Sequence, residues 1–250
     1  MNRTNNRIIL LFTLFIVSFF PTASSQTPAI ENLEKELAAH NRIDTTRVNL
    51  LNKLGYELYA IDSGKAGEYA QEAQKISTRL NYPAGEAASL WVTGLIIRNT
   101  PKKALEHFER ALSIAERIKD STSICNYLLA ISSIQKAMGN IKASDEAIEK
   151  GLQASTVLKD PDIRIKLLYN SATNLTSKGH YLQGIEKLQE VINLSIQSNN
   201  KIMLAKAQSS IATTLNRQGD PLRALEYYLK GLRIYEELND RRGICGLLIN

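Results

Sequence analysis

The 250-residue chain is poor in the side chains that carry most chemistry. It has three histidines, two cysteines and one tryptophan, and aromatic residues make up 6% of it. His40, His107 and His180 are scattered, and none has a second His or Cys at metal-ligand spacing, so no metal site is expected. Cys125 has no histidine placed by sequence to activate it. No glycine-rich phosphate loop opens a helix after a strand, so neither a catalytic residue nor a cofactor is expected. With 13 Gly and 6 Pro the chain is not loop-rich or all-β. Neither sign of charge dominates: bases and acids are interspersed, as in Glu106-His107-Phe108-Glu109-Arg110, which argues against a nucleic-acid-binding stripe. The long hydrophobic run, residues 8–20, has 13 residues. A membrane-spanning helix needs about 20.

That run has Arg3 and Arg7 before it and Pro21-Thr22-Ala23-Ser24-Ser25 after it. A basic start, a short apolar stretch and small residues at the exit are the order of a secretory signal, residues 1–25, cleaved before Gln26. No cysteine stands at the cleavage point, which argues against a lipid anchor. Removing Arg3 and Arg7 leaves 29 basic and 25 acidic residues, a net +4. A periplasmic or cell-envelope location is the expectation.

What the chain has is a period. Gly139-Asn140-Ile141-Lys142-Ala143-Ser144, Gly179-His180-Tyr181-Leu182-Gln183-Gly184 and Gly219-Asp220-Pro221-Leu222-Arg223-Ala224 start 40 residues apart. Asp120, Asp160, Asn200 and Asp240 keep the same beat. A fixed period of this size predicts stacked units, each unable to bury its apolar face alone. Within a period two helices are predicted, for example residues 201–218, with Ala205, Ala207, Ile211, Ala212 and Leu215 at helical spacing. Residues 221–238 follow, with Leu225, Tyr228, Leu229, Leu232 and Tyr235 on one stripe expected in the core. The same reading gives helices at 44–60, 63–80, 83–99, 101–118, 121–138, 141–158, 161–178 and 181–198. Pro28, Pro83, Pro101, Pro161 and Pro221 fall where helices open, a position that tolerates the missing N–H. Thr100, Asp160 and Asp220 precede three of them as expected N-caps.

Residues 26–43 are predicted to carry one extra helix, from 28 to 40, that caps the first unit. Residues 44–250 hold five units and the opening of a sixth, which reads as the front part of a longer chain. Cys125 and Cys245 lie 120 residues apart, three periods. Units stack at about 8–10 Å between neighbouring helices, and a disulfide needs Cα atoms within about 7 Å. No bond between them is expected, and both are read as small buried residues.

Gly55, Gly94, Ser132, Ala172 and Ala212 in mid-helix, the Gly-Asn and Gly-Asp turns, and Ala66, Ala104, Ser144, Gly184 and Ala224 in the second helices resemble the tetratricopeptide repeat, over about residues 44 to 250. The fold this implies is all-α, a right-handed superhelical solenoid of antiparallel helix pairs. HEAT-like repeats share the period, but the Gly-Asn/Asp turns followed by Ala-Leu favour the first family. The family's basic period is 34 residues, and the longer form here resembles the exported sensor regions of bacterial signalling proteins.

The resemblance also implies a function: a non-catalytic scaffold that holds a protein or peptide in the concave groove lined by the first helices. A membrane-linked output domain would lie in a missing C-terminal part. Nucleic acid is not expected as a partner. The alternative is a structural protein that self-associates. Spacing from the mid-helix small residues places Trp91, Arg98, Asn126, Ser133, Lys136, Lys166, Tyr169, Asn170, Thr173, Ser177, Lys206, Ser209, Thr213, Asn216 and Arg217 on that groove. Some family members clamp a C-terminal carboxylate with Lys and Asn. Lys166, Asn170 and Lys206 suit that role, but Leu129 stands where the clamp has a lysine.

Overall fold

A computed structural model describes residues 28–248; the expected signal segment lies outside them. Twelve helices follow one another, with no strand among the described residues. They are α1 (Pro28–Ala39), α2 (Thr45–Leu58), α3 (Ser63–Leu80), α4 (Pro83–Ile96), α5 (Pro101–Ile118), α6 (Ser121–Ala137), α7 (Ile141–Ala154), α8 (Asp162–Ser177), α9 (Tyr181–Gln197), α10 (Lys201–Arg217), α11 (Pro221–Glu237) and α12 (Arg241–Leu248). Successive helices pack antiparallel in pairs, α2 with α3 through α10 with α11, and the pairs stack into a right-handed superhelix. The first helices of neighbouring pairs (α2, α4, α6, α8, α10) also touch one another and form one wall.

The period is built from one turn used twice. Within a pair, Gly139, Gly179 and Gly219 take φ of 81°, 84° and 81°. The next N–H reaches back to the helix, as His180 N to Leu175 O at 3.0 Å and Asp220 N to Leu215 O at 3.0 Å. Between pairs, Asn81, Lys119, Asn199 and Asn239 take φ of 50–57°, and Asp120 N bonds Ala115 O, Asn200 N bonds Ser195 O and Asp240 N bonds Tyr235 O. Each is a left-handed C-terminal stop that satisfies carbonyls the helix leaves open. At Asp120, Asn200, Asp220 and Asp240 the residue after it also caps the next helix with its side chain, whereas Tyr82, Asn140 and His180 make no such bond. Asp120 accepts from Ser123 N, Asn200 from Met203 N and Asp220 from Arg223 N.

The α2–α3, α4–α5 and α7–α8 junctions have no such left-handed stop. α7 ends at Ala154, four residues earlier than the period predicts, and runs into a 3₁₀ turn at Ser155–Val157. The Ser155 and Thr156 hydroxyls donate to Leu152 O and Gln153 O, in competition with the helical backbone. Pro161 therefore stands at the cap of α8 instead of its first residue, and Asp160 accepts from Asp162 N. Thr100 also differs from expectation: its side chain makes no cap bond and its hydroxyl donates to Asn99. Asp220→Ala should thus cost about 1 kcal/mol, and Thr100→Ala a few tenths at most, measured by urea unfolding.

The core is a chain of clusters between adjacent helices. In one, Ile165, Leu168 and Leu188 meet Ile211 and Leu215. At the start, Ile30 and Leu33 of α1 pack on Leu54 and Leu58, and Lys65 pairs with Glu34. Two sequence expectations are corrected here. On α11, Tyr235 is buried in a cluster with Leu247, but Leu225 and Leu229 are 55% and 45% exposed. Both cysteines are free; Cys125 is buried, but Cys245 is exposed on α12.

Candidate functional site

The wall of first helices follows a positional rule. Take the mid-helix small residue (Gly55, Gly94, Ser132, Ala172, Ala212) as origin. Positions −6, −3, +1 and +4 share a helix face. In all five units these positions line one of three clefts on the wall, with the exception of Asn216. The largest cleft, about 480 Å³, gathers Trp91, Arg98, Asn126, Ser133, Lys166, Tyr169, Asn170 and Lys206. The second, about 320 Å³, gathers Lys136, Thr173, Ser177, Ser209, Thr213 and Arg217, and shares Tyr169 and Lys206 with the first. A third, about 360 Å³, extends the first toward α2 through Tyr56, Trp91 and Asn126. Shared linings make the three one furrow. Asn216 falls outside it, in an apolar cleft with Leu225, Leu229 and Leu248.

Its two ends differ. Toward α2 it is aromatic: Trp91 stacks on Tyr56 with centroids 4.9 Å apart, tilts against Tyr127 at 5.8 Å, and Tyr56 stacks on Tyr59 at 5.7 Å. Arg98 lies over the Tyr59 ring at 5.7 Å, an attraction between cation and ring quadrupole. Burial pushes the Tyr56 hydroxyl above its ordinary pKa. Toward α10 the furrow is lined by hydroxyls and amines. Lys136 Nζ donates to Thr173 Oγ1 at 2.9 Å, Asn170 Nδ2 to Ser132 Oγ at 3.3 Å, and the Tyr169 and Ser210 hydroxyls are 3.0 Å apart. Burial draws the Lys136 ammonium below the usual lysine pKa, with Asp145 opposing.

Sequence reasoning passed over Tyr56, Tyr59 and Lys53, although Tyr56 stands at the offset from Gly55 that Thr173 has from Ala172. The same rule applied to the first unit finds it. No group of three or more His, Cys, Asp or Glu able to hold a metal occurs among the described residues.

The sequence profile described as Tetratricopeptide repeat matches residues 204–242. That segment holds most of α10 and all of α11, the pair with the clearest turn and small-residue pattern. This pair is thus similar to a tetratricopeptide repeat, and the whole array has the helix-pair solenoid fold of such proteins. No curated protein sequence matches it. Solved structures similar to this array include BtubC from P. vanneervenii, 14% identical, with TM-score 0.68 over 84% of this chain and 91% of that one. A Rap protein complexed with competence and sporulation factor is 14% identical, with TM-score 0.66 over 88% of this chain and 67% of that one. Aspartyl phosphate phosphatase F from Bacillus subtilis is 16% identical, with TM-score 0.66 over 87% and 62%. At these identities the likeness is one of fold.

Proposed function

We propose that the tetratricopeptide array is a non-catalytic scaffold that holds a protein or peptide segment in its inner furrow, as the periplasmic sensing part of a longer signal-transduction protein. The observation that carries the reading is the continuity of that furrow across α2 to α10. It is too long and open for a small substrate, and its Asn and hydroxyl side chains can pair with a peptide backbone. The Rap protein of the same fold that carries competence and sporulation factor supports a ligand-bearing role. Residues 1–25 support export. Transmission would be mechanical, since small shifts at each unit interface change the curvature of a solenoid.

The test is display of random twelve-residue peptides against residues 26–250. Recovered peptides should bind Ser133→Trp, whose added ring fills the furrow, on the order of tenfold more weakly, with unchanged helical circular dichroism. Recovery of no peptide, or equal binding by the variant, removes the reading. Export is checked separately: protein recovered from the periplasm should begin at Gln26.

A second reading, self-assembly, is favoured by the open stripe Leu222, Leu225, Leu229 and Leu248 at the far end of the array. Light scattering decides it, because a strict monomer at high concentration removes it.

A further inference from the structure

The two helix sets of the array carry different charge. The five second helices hold thirteen acidic and thirteen basic side chains. The five first helices hold eight bases and three acids, Glu57, Glu86 and Asp162. None of those acids lines the furrow, and no other carboxylate does. Lys53, Arg98, Lys136, Lys166, Lys206 and Arg217 do line it. Ion pairs form elsewhere, on the second helices and at helix ends, as Arg47 with Glu72 and Lys201 with Glu237. No furrow cation is ion-paired among the described residues. A modest net charge is thus sorted by the fold into a neutral outer layer and a cationic inner wall, and such a concave wall focuses its field on whatever enters.

Resting on the furrow reading above, we infer that its ligand is an extended acidic polypeptide segment carrying an aromatic or large apolar side chain. The apolar side chain seats beside Trp91 and Tyr56. The acidic side chains run past Asn126 and Asn170 to Lys166 and Lys206. First helices of successive units lie about 10 Å apart and an extended chain rises about 3.3 Å per residue, so anchor and acids fit within about ten residues. A polypeptide suits the wall better than a bare polyanion because the amides of Asn126 and Asn170 can both donate to and accept from peptide groups.

The experiment uses the same display, read for composition. Peptides recovered should be enriched in Asp and Glu, with an aromatic or large apolar residue displaced to one side. Since Trp91 is the one tryptophan, its emission should shift on binding. Raising salt from 50 to 500 mM should weaken binding, as screening shortens the reach of the charges. Lys166→Glu combined with Lys206→Glu, both exposed side chains, should weaken acidic peptides on the order of tenfold or more. Peptides amidated at the C-terminus should bind as well as free ones; loss on amidation would assign the carboxylate to a chain end and overturn the side-chain assignment. Neutral or basic recovered peptides, or heparin competing at equal charge concentration as well as an acidic peptide, would overturn the inference while leaving the furrow reading in place. Recovery of no peptide at all counts against the furrow reading itself.

Discussion

Phe108→Ala should lower stability by about 3–5 kcal/mol, the range for emptying an aromatic site in a packed core. Phe108 is 1% exposed and lies among Ala104, Leu128, Ile131, Ile134 and Ala147, with Trp91 and Leu95 against it. These residues belong to α4, α5, α6 and α7, so the ring joins two units. Stability in a stacked array is a sum of unit and interface terms, and the loss should therefore be local. Trp91 makes this measurable. In urea, its emission should change at a lower midpoint than the circular dichroism of the whole array. In the parent protein the two midpoints should lie closer together. Coincident transitions in the variant, or a loss below 1 kcal/mol, would show that the ring does not carry the interface. The change should also disturb the furrow, because Phe108 forms part of its floor.

The period made most of the architecture legible, because the residues that stop a helix are local. Gly at 139, 179 and 219 and Asp or Asn at 120, 200, 220 and 240 act within their own turn. Their effect does not depend on what packs nearby. The 3₁₀ turn at Ser155–Val157 was hidden because Ser and Thr hydroxyls compete with the backbone at that one place, a choice the average pattern does not show. The exposure of Leu225 and Leu229 was hidden for another reason: burial depends on what packs against a stripe, and the spacing of residues on α11 does not show that. The furrow was half legible. Spacing from the small residues picked out side chains that line it in units two to five, Asn216 excepted. At the aromatic end it found Trp91 and Arg98 but not Tyr56 and Tyr59, which stand at the +1 and +4 offsets from Gly55. The cationic character of the wall could not be read from composition, which gives +4 and a mixed sequence. It was legible in the groove positions taken by spacing, which read as polar and mildly basic with two aromatics; the neutral balance of the second helices appears when the charges are counted helix by helix.

Two glycine substitutions of the same kind should act with opposite sign. Gly94 lies in α4 where the family pattern asks for a small residue, and a Cβ built there would stand 2.4 Å from Phe108 Cε1, 2.7 Å from Cδ1 and 3.0 Å from Cζ. The ring is held from several helices and cannot turn aside at one edge alone. Gly94→Ala gains about 1 kcal/mol of helix propensity, but overpacking a filled site costs about 1–3 kcal/mol. With three ring atoms at or inside 3.0 Å the upper end applies, and the net loss should be about 2 kcal/mol by urea unfolding. Phe108→Leu should remove most of this penalty, so the two changes together should show a coupling on the order of 1 kcal/mol or more in a double-mutant cycle. Gly67, in the second turn of α3, has nothing within 4 Å of its would-be Cβ. Gly67→Ala should therefore keep the propensity gain and stabilise the protein by up to about 1 kcal/mol. Equal signs at the two sites would mean that the close approach of α4 to α5 is not what selects glycine at position 94.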